Sequence, residues 1–590
     1  MVRPAFTKPI KQQPRGGPTV AATLREFGGG WNVADSDLNL APRFAKKQIN
    51  LMRSLDGSIQ VRWGTKLLKD LSGASLLNGG TIVDCFYFNG RIVTVGTNGK
   101  VLITAADGTS TVQSTAWGAT TFVSFTLFNN ELIICNGVNK PLLMKSDYTT
   151  DFLVDLATVS NVNTPIGLYC TTHNQYMVIA GDPSNVSRLY ISNKATSGTF
   201  AGDPAPNDAI NFELGSFINE GDAIITGLGS FRDQLVVSTR DAIVLITLGL
   251  YDGATHVPKV NDVIPANGAV CHRTITGLGQ DMHFADIIGI AAISRALFTG
   301  QIQPDRVSRL VDPAFQKTIN PLGNTTLSTR IFSVYNRRDS QVMHFLPNND
   351  VAASTTETRG FVHTYNKSQK ISAFHDFRNW NWVAACRTSE GRVVFATTTK
   401  LYFYGNTDNP YNGDYTGEYE GFSDDTMFTD GTGLSPASSA NVGLPIPFIW
   451  EFPWADMKSR TSSKMARGIG FDTTGMGRFT CAMFVDNLVY NYSLDATYYY
   501  DGLEMLDGYG DTSAQMQPSA QMAFIGGDYR GFGVNALTQW FGDARPTRDE
   551  RLYVWNSKYN IMKLRLSGTT SKQLKFVTIK FHYELGTVMR

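Results

Sequence analysis

One unit recurs through the middle of the chain: an apolar strand, a polar turn, and an apolar strand running back. Cys85-Phe86-Tyr87-Phe88-Asn89-Gly90-Arg91-Ile92-Val93-Thr94-Val95 is one copy, and Phe125-Thr126-Leu127-Phe128-Asn129-Asn130-Glu131-Leu132-Ile133-Ile134-Cys135 is another. Further copies turn at Asn174, Asp233, Gln280, Arg338 and Gly391. Successive turns lie about forty to sixty residues apart, the length of a four-stranded propeller blade with occasional insertions. A series of sandwiches does not usually keep one period for so long, whereas a ring of blades leaves no open sheet edge. The 55 glycines and 11% aromatic residues suit many short strands joined by tight turns. The chain is therefore expected to be all-β: a β-propeller of six to eight blades over residues 70–405, with an additional C-terminal β-domain over 406–590.

The flanks read differently. Residues 1–25 carry five basic and no acidic residues, with prolines at 4, 9, 14 and 18, so they form an extended basic arm that buries no core. Residues 26–69 open on Phe27-Gly28-Gly29-Gly30-Trp31-Asn32, continue through a short helical patch around Pro42 to Gln48, and reach an Asp56-Gly57 turn between two alternating runs. That turn predicts a hairpin whose second arm is Ile59-Val61-Trp63. Beyond Lys400 the composition shifts. Residues 401–457 hold nine acidic residues and no Lys or Arg, and 479–529 is a second Lys/Arg-free acidic span. Trp450, Phe452 and Trp454 alternate as a strand. A basic stretch from Arg545 to Lys580 follows, with closing strands at 552–555 and 576–583.

The sequence offers little to a catalyst. Formal net charge is +1, which gives no global signal for nucleic-acid binding. The six cysteines are far apart and form no CxxC pair, so they read as buried small apolar residues of a reducing compartment. Gly96 to Lys100 is too short for a P-loop, Gly227-Leu228-Gly229-Ser230 lacks the last glycine of a nucleophile elbow, and no H-E-x-x-H occurs. His283 and His344 fall in strand patterns and read as satisfied core or surface residues. Asp35-Ser36-Asp37-Leu38-Asn39 begins like a calcium loop but lacks its glycine and distal glutamate, and Asp37 reads better as a helix N-cap. Turn chemistry accounts for Asp408 to Asp414. The repeated Asp-box of sialidase-type propellers is absent, so no paired carboxylates are assigned to glycan cleavage. No catalytic residue, cofactor or metal is expected. The most apolar run, 287–293, is too short to span a bilayer, and no secretory leader is visible.

Three stretches carry a family resemblance. The glycine-rich opening, the D-G turn and Arg62-Trp63-Gly64-Thr65 form the first. The second is Ser187-Arg188-Leu189-Tyr190-Ile191-Ser192-Asn193 followed by Gly221-Asp222-Ala223-Ile224 and Phe231-Arg232-Asp233-Gln234-Leu235-Val236-Val237. The third runs from Asp286-Ile287-Ile288-Gly289-Ile290 to Pro304-Asp305-Arg306-Val307-Ser308-Arg309-Leu310-Val311-Asp312-Pro313, where a strand leads to a short helix with Ser and Asp caps. In order and spacing these resemble the tail nozzle or hub (tail tubular protein B-like) proteins of short-tailed bacteriophages. The resemblance implies a structural virion protein, assembled in the host cytoplasm and resident in the virion tail. It implies a hexameric ring beneath an adaptor ring below the portal, contacts with tail fibres or other tail proteins, and passage of double-stranded DNA without sequence-specific binding. Lys8, Lys11 and Arg15 of the arm would then dock on the adaptor or a neighbouring copy. Asp424, Asp425, Asp507 and Asp511, in the spans without cations, would line the channel, since a wall that repels phosphate does not grip the strand. Solvated outer loops are the plainer reading of those spans. The alternative function is a receptor- or glycan-binding tail protein, using Trp380-Asn381-Trp382 or Tyr498-Tyr499-Tyr500 as sugar-stacking ledges, with packing between strands as the simpler use of those rings.

Overall fold

The computed structural model describes residues 19–24, 27–54, 57–114, 117–153, 164–195, 200, 209–218, 223–252, 255–265, 268–278, 281–295, 302–348, 357–366, 371–405, 423–424, 444–455, 462–475, 478–485, 496–498, 548–553, 558–559, 561–570 and 574–588. Five antiparallel four-stranded sheets follow one another from contiguous chain. Their innermost strands are Ile82–Phe88, Ser124–Phe128, Tyr169–His173, Ile225–Phe231 and Thr276–Leu278. Phe332–Asn336, Gln341–Pro347, Thr358–Asn366 and Ile371–Trp380 make the sixth blade. The seventh has only three strands from its own stretch: Ala384–Arg387, Val393–Ala396 and Lys400–Tyr404. Its outer strand is Thr65–Asp70, which precedes every other blade in the chain and pairs antiparallel with Lys400–Tyr404. The protein is a seven-bladed propeller whose ring is closed by hydrogen bonds between its two ends.

Each expected turn among the described residues joins the first and second strands of one blade, while Gln280 lies outside the described residues, and the turn chemistry explains the pattern. Asn89 and Gly90, Asn129 and Asn130, and Asn174 and Gln175 all have positive φ, the pairing a two-residue hairpin needs to match strand twist and one that Asn and Gly adopt at least cost. Between blades the cores are continuous around the ring. Val93 and Leu132 share one cluster, Cys135 and Met177 another, Val236 and Met282 a third, Phe345 and Phe395 a fourth, and Ile82 and Ala384 the cluster at the closing seam. A larger cluster joins blades three and four and blades five and six, and takes in Phe315 of the helix Asp312–Ile319. That helix sits where the strand-to-helix step was expected, but no side chain caps it. Ser308 instead donates its hydroxyl to the Asp312 carboxylate.

A second domain is built from both ends of the chain. One sheet joins Ser462–Gly475, Leu574–Val588 and Arg548–Tyr553 to Thr19–Leu24, Ile59–Val61 and Leu51–Arg53. The facing sheet joins Leu444–Glu451, Met562–Thr570 and Arg478–Val485, with Lys47–Ile49 on its edge. Phe27, Leu51, Ile59 and Val61 from the front of the chain share its core with Phe448, Trp450, Phe479, Leu564 and Phe576. Residues 42–48 thus form a turn and two short strands, Phe44–Ala45 and Lys47–Ile49, rather than a helix, because the strand backbones pair with sheets on either side. Asp37 lies in a turn that no helix follows; its carboxylate sits 3.6 Å from the Lys46 ammonium. Gly30 has φ +70° and a Cβ there would lie 2.6 Å from the Phe374 carbonyl oxygen, so only glycine lets this segment pair with blade six.

Candidate functional site

The chain enters each blade at its innermost strand, so the loops before those strands meet at one end of the axis. The loop before blade five crosses that end as a 3₁₀ turn, His272–Thr274. The guanidinium of Arg273 lies 3.0 Å from Asp84 of blade one and donates to the carbonyls of Thr329 before blade six (3.0 Å) and Val383 before blade seven (2.8 Å). Its face rests on the ring of Phe332, 5.2 Å away. On the other side His272 Nδ1 accepts from the backbone N–H of Leu228 in blade four at 3.1 Å, and its ring lies 5.3 Å from Tyr169 of blade three. Two consecutive side chains therefore reach five blades, which places them near the axis at that end. Burial pushes the Asp84 carboxyl up to about 6 despite the Arg273 charge. Burial, assisted by Arg273, pushes His272 down to about 4, so the ring is a neutral acceptor at physiological pH.

A second polar group lies between blades five and six. The rings of His283, His344 and His363 are stacked, with centroids 6.1 Å and 5.6 Å from His283 to the other two. His344 Nδ1 meets the Ser333 hydroxyl at 2.6 Å and His363 Nε2 meets Ser372 at 3.0 Å. Nδ1 of His283, Nε2 of His344 and Nδ1 of His363 have no protein partner. The histidines are thus core residues, as expected for His283 and His344, but only half satisfied. Burial holds all three below the ordinary range. Among the described residues no group of His, Cys, Asp or Glu is arranged to hold a metal ion: these rings stack face to face and do not converge their nitrogens on one point.

The residues singled out from the sequence are not brought together. Lys8, Lys11, Arg15, Asp425, Asp507 and Asp511 lie outside the described residues. Asp424 has its backbone in a two-residue strand, paired with Leu444 on one side and Thr65 on the other, where it stitches blade seven to the second domain. Glu451, from the first acidic span, is paired with Lys563 Nζ at 2.7 Å and Arg565 at 3.0 Å, so this acid meets the basic C-terminal stretch. Trp380 and Trp382 are 0% and 1% exposed in the core of blades six and seven, which removes them as a sugar-stacking ledge. Tyr499 and Tyr500 lie outside the described residues. Cys85, Cys135, Cys170, Cys271 and Cys386 are buried free thiols. Arg273 was missed because nothing near it in sequence distinguishes it; its partners come from loops far along the chain.

No helix among the described residues is long and apolar enough to cross a membrane. No family model matches the chain, and no curated protein matches it. Among solved structures it is similar to a streptogramin B lyase (12% identity, TM-score 0.37, covering 58% of this chain and 97% of that one). It is also similar to the WD40 propeller domain of Doa1 (11% identity, TM-score 0.34, covering 59% and 99%).

Proposed function

We propose that this chain is a structural protein of a short-tailed phage tail, a nozzle or hub subunit that helps retain the genome and takes part in its ejection. The supporting observation is order. The stretches that carry the resemblance fold as consecutive parts of one assembly: the opening segment docked on blade six, 187–193 and 231–237 in blades three and four, and 286–295 and 302–313 in blade five and the helix after it. In this reading the role is mechanical and no residue performs bond chemistry. His272 and Arg273 reach across the blades near the axis at one end, and in this reading the DNA conduit lies between copies around a ring rather than through a single propeller. The ring would sit on an adaptor below the portal, with the basic arm as its tether and other tail proteins bound outside.

Electron microscopy of the purified protein, alone and mixed with portal–adaptor particles, tests the reading. Rings of six copies with an axial opening are expected. A protein that stays monomeric at every concentration and does not bind the particles would overturn it.

A further inference from the structure

At the end of the propeller opposite Arg273, the turn after the first strand of blade six faces the corresponding turn of blade seven across a cleft of about 460 Å³. Its walls carry Arg337, Arg338 and Arg392, with Trp63, Asp339 and Tyr404 behind them. Arg337 and Arg338 are exposed and Arg392 is half-buried. Three arginines against two carboxylates, Asp339 and Glu390, leave the lining with an excess of positive charge, which favours an anion in the cleft.

The back of the cleft is built. The Trp63 indole N–H donates to Asp339 at 3.1 Å, and Asn336 donates to the same carboxylate oxygen at 2.8 Å. Burial raises the pKa of Asp339, against the lowering effect of these donors and Arg338. That carboxylate is thus spent on fixing the indole. The Arg338 guanidinium lies 4.8 Å from the Trp63 ring centroid. Stacking uses the flat face of a guanidinium and leaves its in-plane N–H donors directed outward. The remaining acid, Glu390, is loosely held: it lies 3.3 Å from Arg392 with 71% of its side chain exposed, a pairing worth little in water.

We propose that this cleft is a phosphate-binding site. Arg337, Arg338 and Arg392 hold a phosphoryl group, and the Trp63 ring packs against the part of the ligand that carries it. Phosphate is favoured over carboxylate because one arginine fork satisfies a carboxylate, whereas a phosphate dianion presents three oxygens to several donors. Glu390 occupies Arg392 until the ligand displaces it. The inference is independent of the tail reading.

Calorimetric titration of the full chain at low ionic strength, with pyrophosphate, adenosine monophosphate and a short single-stranded oligonucleotide carrying a 5′-phosphate, tests it. Saturable binding of one ligand per chain is expected. The double variant R337A/R392A should weaken it by about tenfold or more, the usual scale for lost charge-assisted hydrogen bonds. E390Q should tighten it, and since Arg337 and Glu390 are exposed and Arg392 only half-buried, thermal melting should move little. Binding of the small phosphates identifies a free metabolite as the ligand source; binding of the oligonucleotide alone identifies nucleic-acid phosphate. Absence of saturable binding by all three probes, or binding that R337A/R392A leaves unchanged, overturns the proposal.

Discussion

The propeller and the second domain are both all-β, but they are assembled in opposite ways. Six blades take all four strands from one contiguous stretch, so their pairing is decided within a few tens of residues. The second domain draws its core from both ends of the chain, and its hydrogen bonds span most of the length: Asn50 donates to the Pro447 carbonyl across 397 residues at 2.9 Å. Closing so long a loop costs chain entropy before any contact compensates it. Blade seven stands between the two cases. Its outer strand is non-local, and its sheet continues through Ser423–Asp424 into the second domain. The lesson is that the ring and the second domain are coupled through the front of the chain, and residues 27–70 are the coupling element.

The largest effect is expected from removing that element. Deleting residues 1–70 takes the outer strand from blade seven and Phe27, Leu51, Ile59 and Val61 from the second core. The expected result is loss of cooperative thermal unfolding and rapid proteolysis of both domains, whereas a fragment of residues 65–405 keeps a cooperative melt. If the deletion of 1–70 melts like the intact chain, the ring does not depend on its closing strand.

A smaller effect is expected at the joint between the opening segment and blade six. Asp376 is buried between Arg359, which grips it at 2.9 Å through two nitrogens, and Arg378, also at 2.9 Å. Burial works against its charge, but the two arginines overcome it and hold the carboxyl below its ordinary range. Arg359 also lies over the Trp31 ring, and the Asp376 carbonyl accepts the Asn50 N–H at 2.8 Å. Asp376→Ala leaves a buried cation without its counter-charge, which costs about 3–5 kcal/mol. Chemical denaturation should show that loss, and hydrogen exchange should show 27–53 opening first. A change below 1 kcal/mol would mean that this joint does not hold the two regions together.

The smallest effect expected of a single side chain depends on pH. His283 is displaced from 6.5 to about 4 and His375 to about 3, both by burial first, and His344 and His363 also lie well below their ordinary value. Lowered histidine pKa values mean that the unfolded chain binds more protons. The stability is therefore present above about pH 6.5 and is lost as pH falls toward 4, at about 2 kcal/mol for His283 by pH 5. These rings sit in blades five and six, so the propeller should soften in acid before the second domain does. His283→Phe should flatten the pH dependence of the melting temperature; an unchanged slope would place the acid sensitivity elsewhere.

The repeating part is legible in the amino-acid order. Alternating apolar runs, with Asn and Gly where the backbone must turn left-handed, are local requirements, and Asn89-Gly90 or Asn129-Asn130 states them in a few letters. The hairpin of Leu51–Arg53 and Ile59–Val61 was legible for the same reason. Tertiary structure alone decided which distant strands met. Nothing in Thr65–Asp70 says that it closes a blade whose other strands begin at Ala384, and residues 42–48 look helical until two sheets claim their backbone. Nor does the sequence around Arg273 reveal a residue that ties four parts of the ring together at its axis. Local pattern fixes what a segment can pair as; only burial, register and the joint satisfaction of distant polar groups fix with whom.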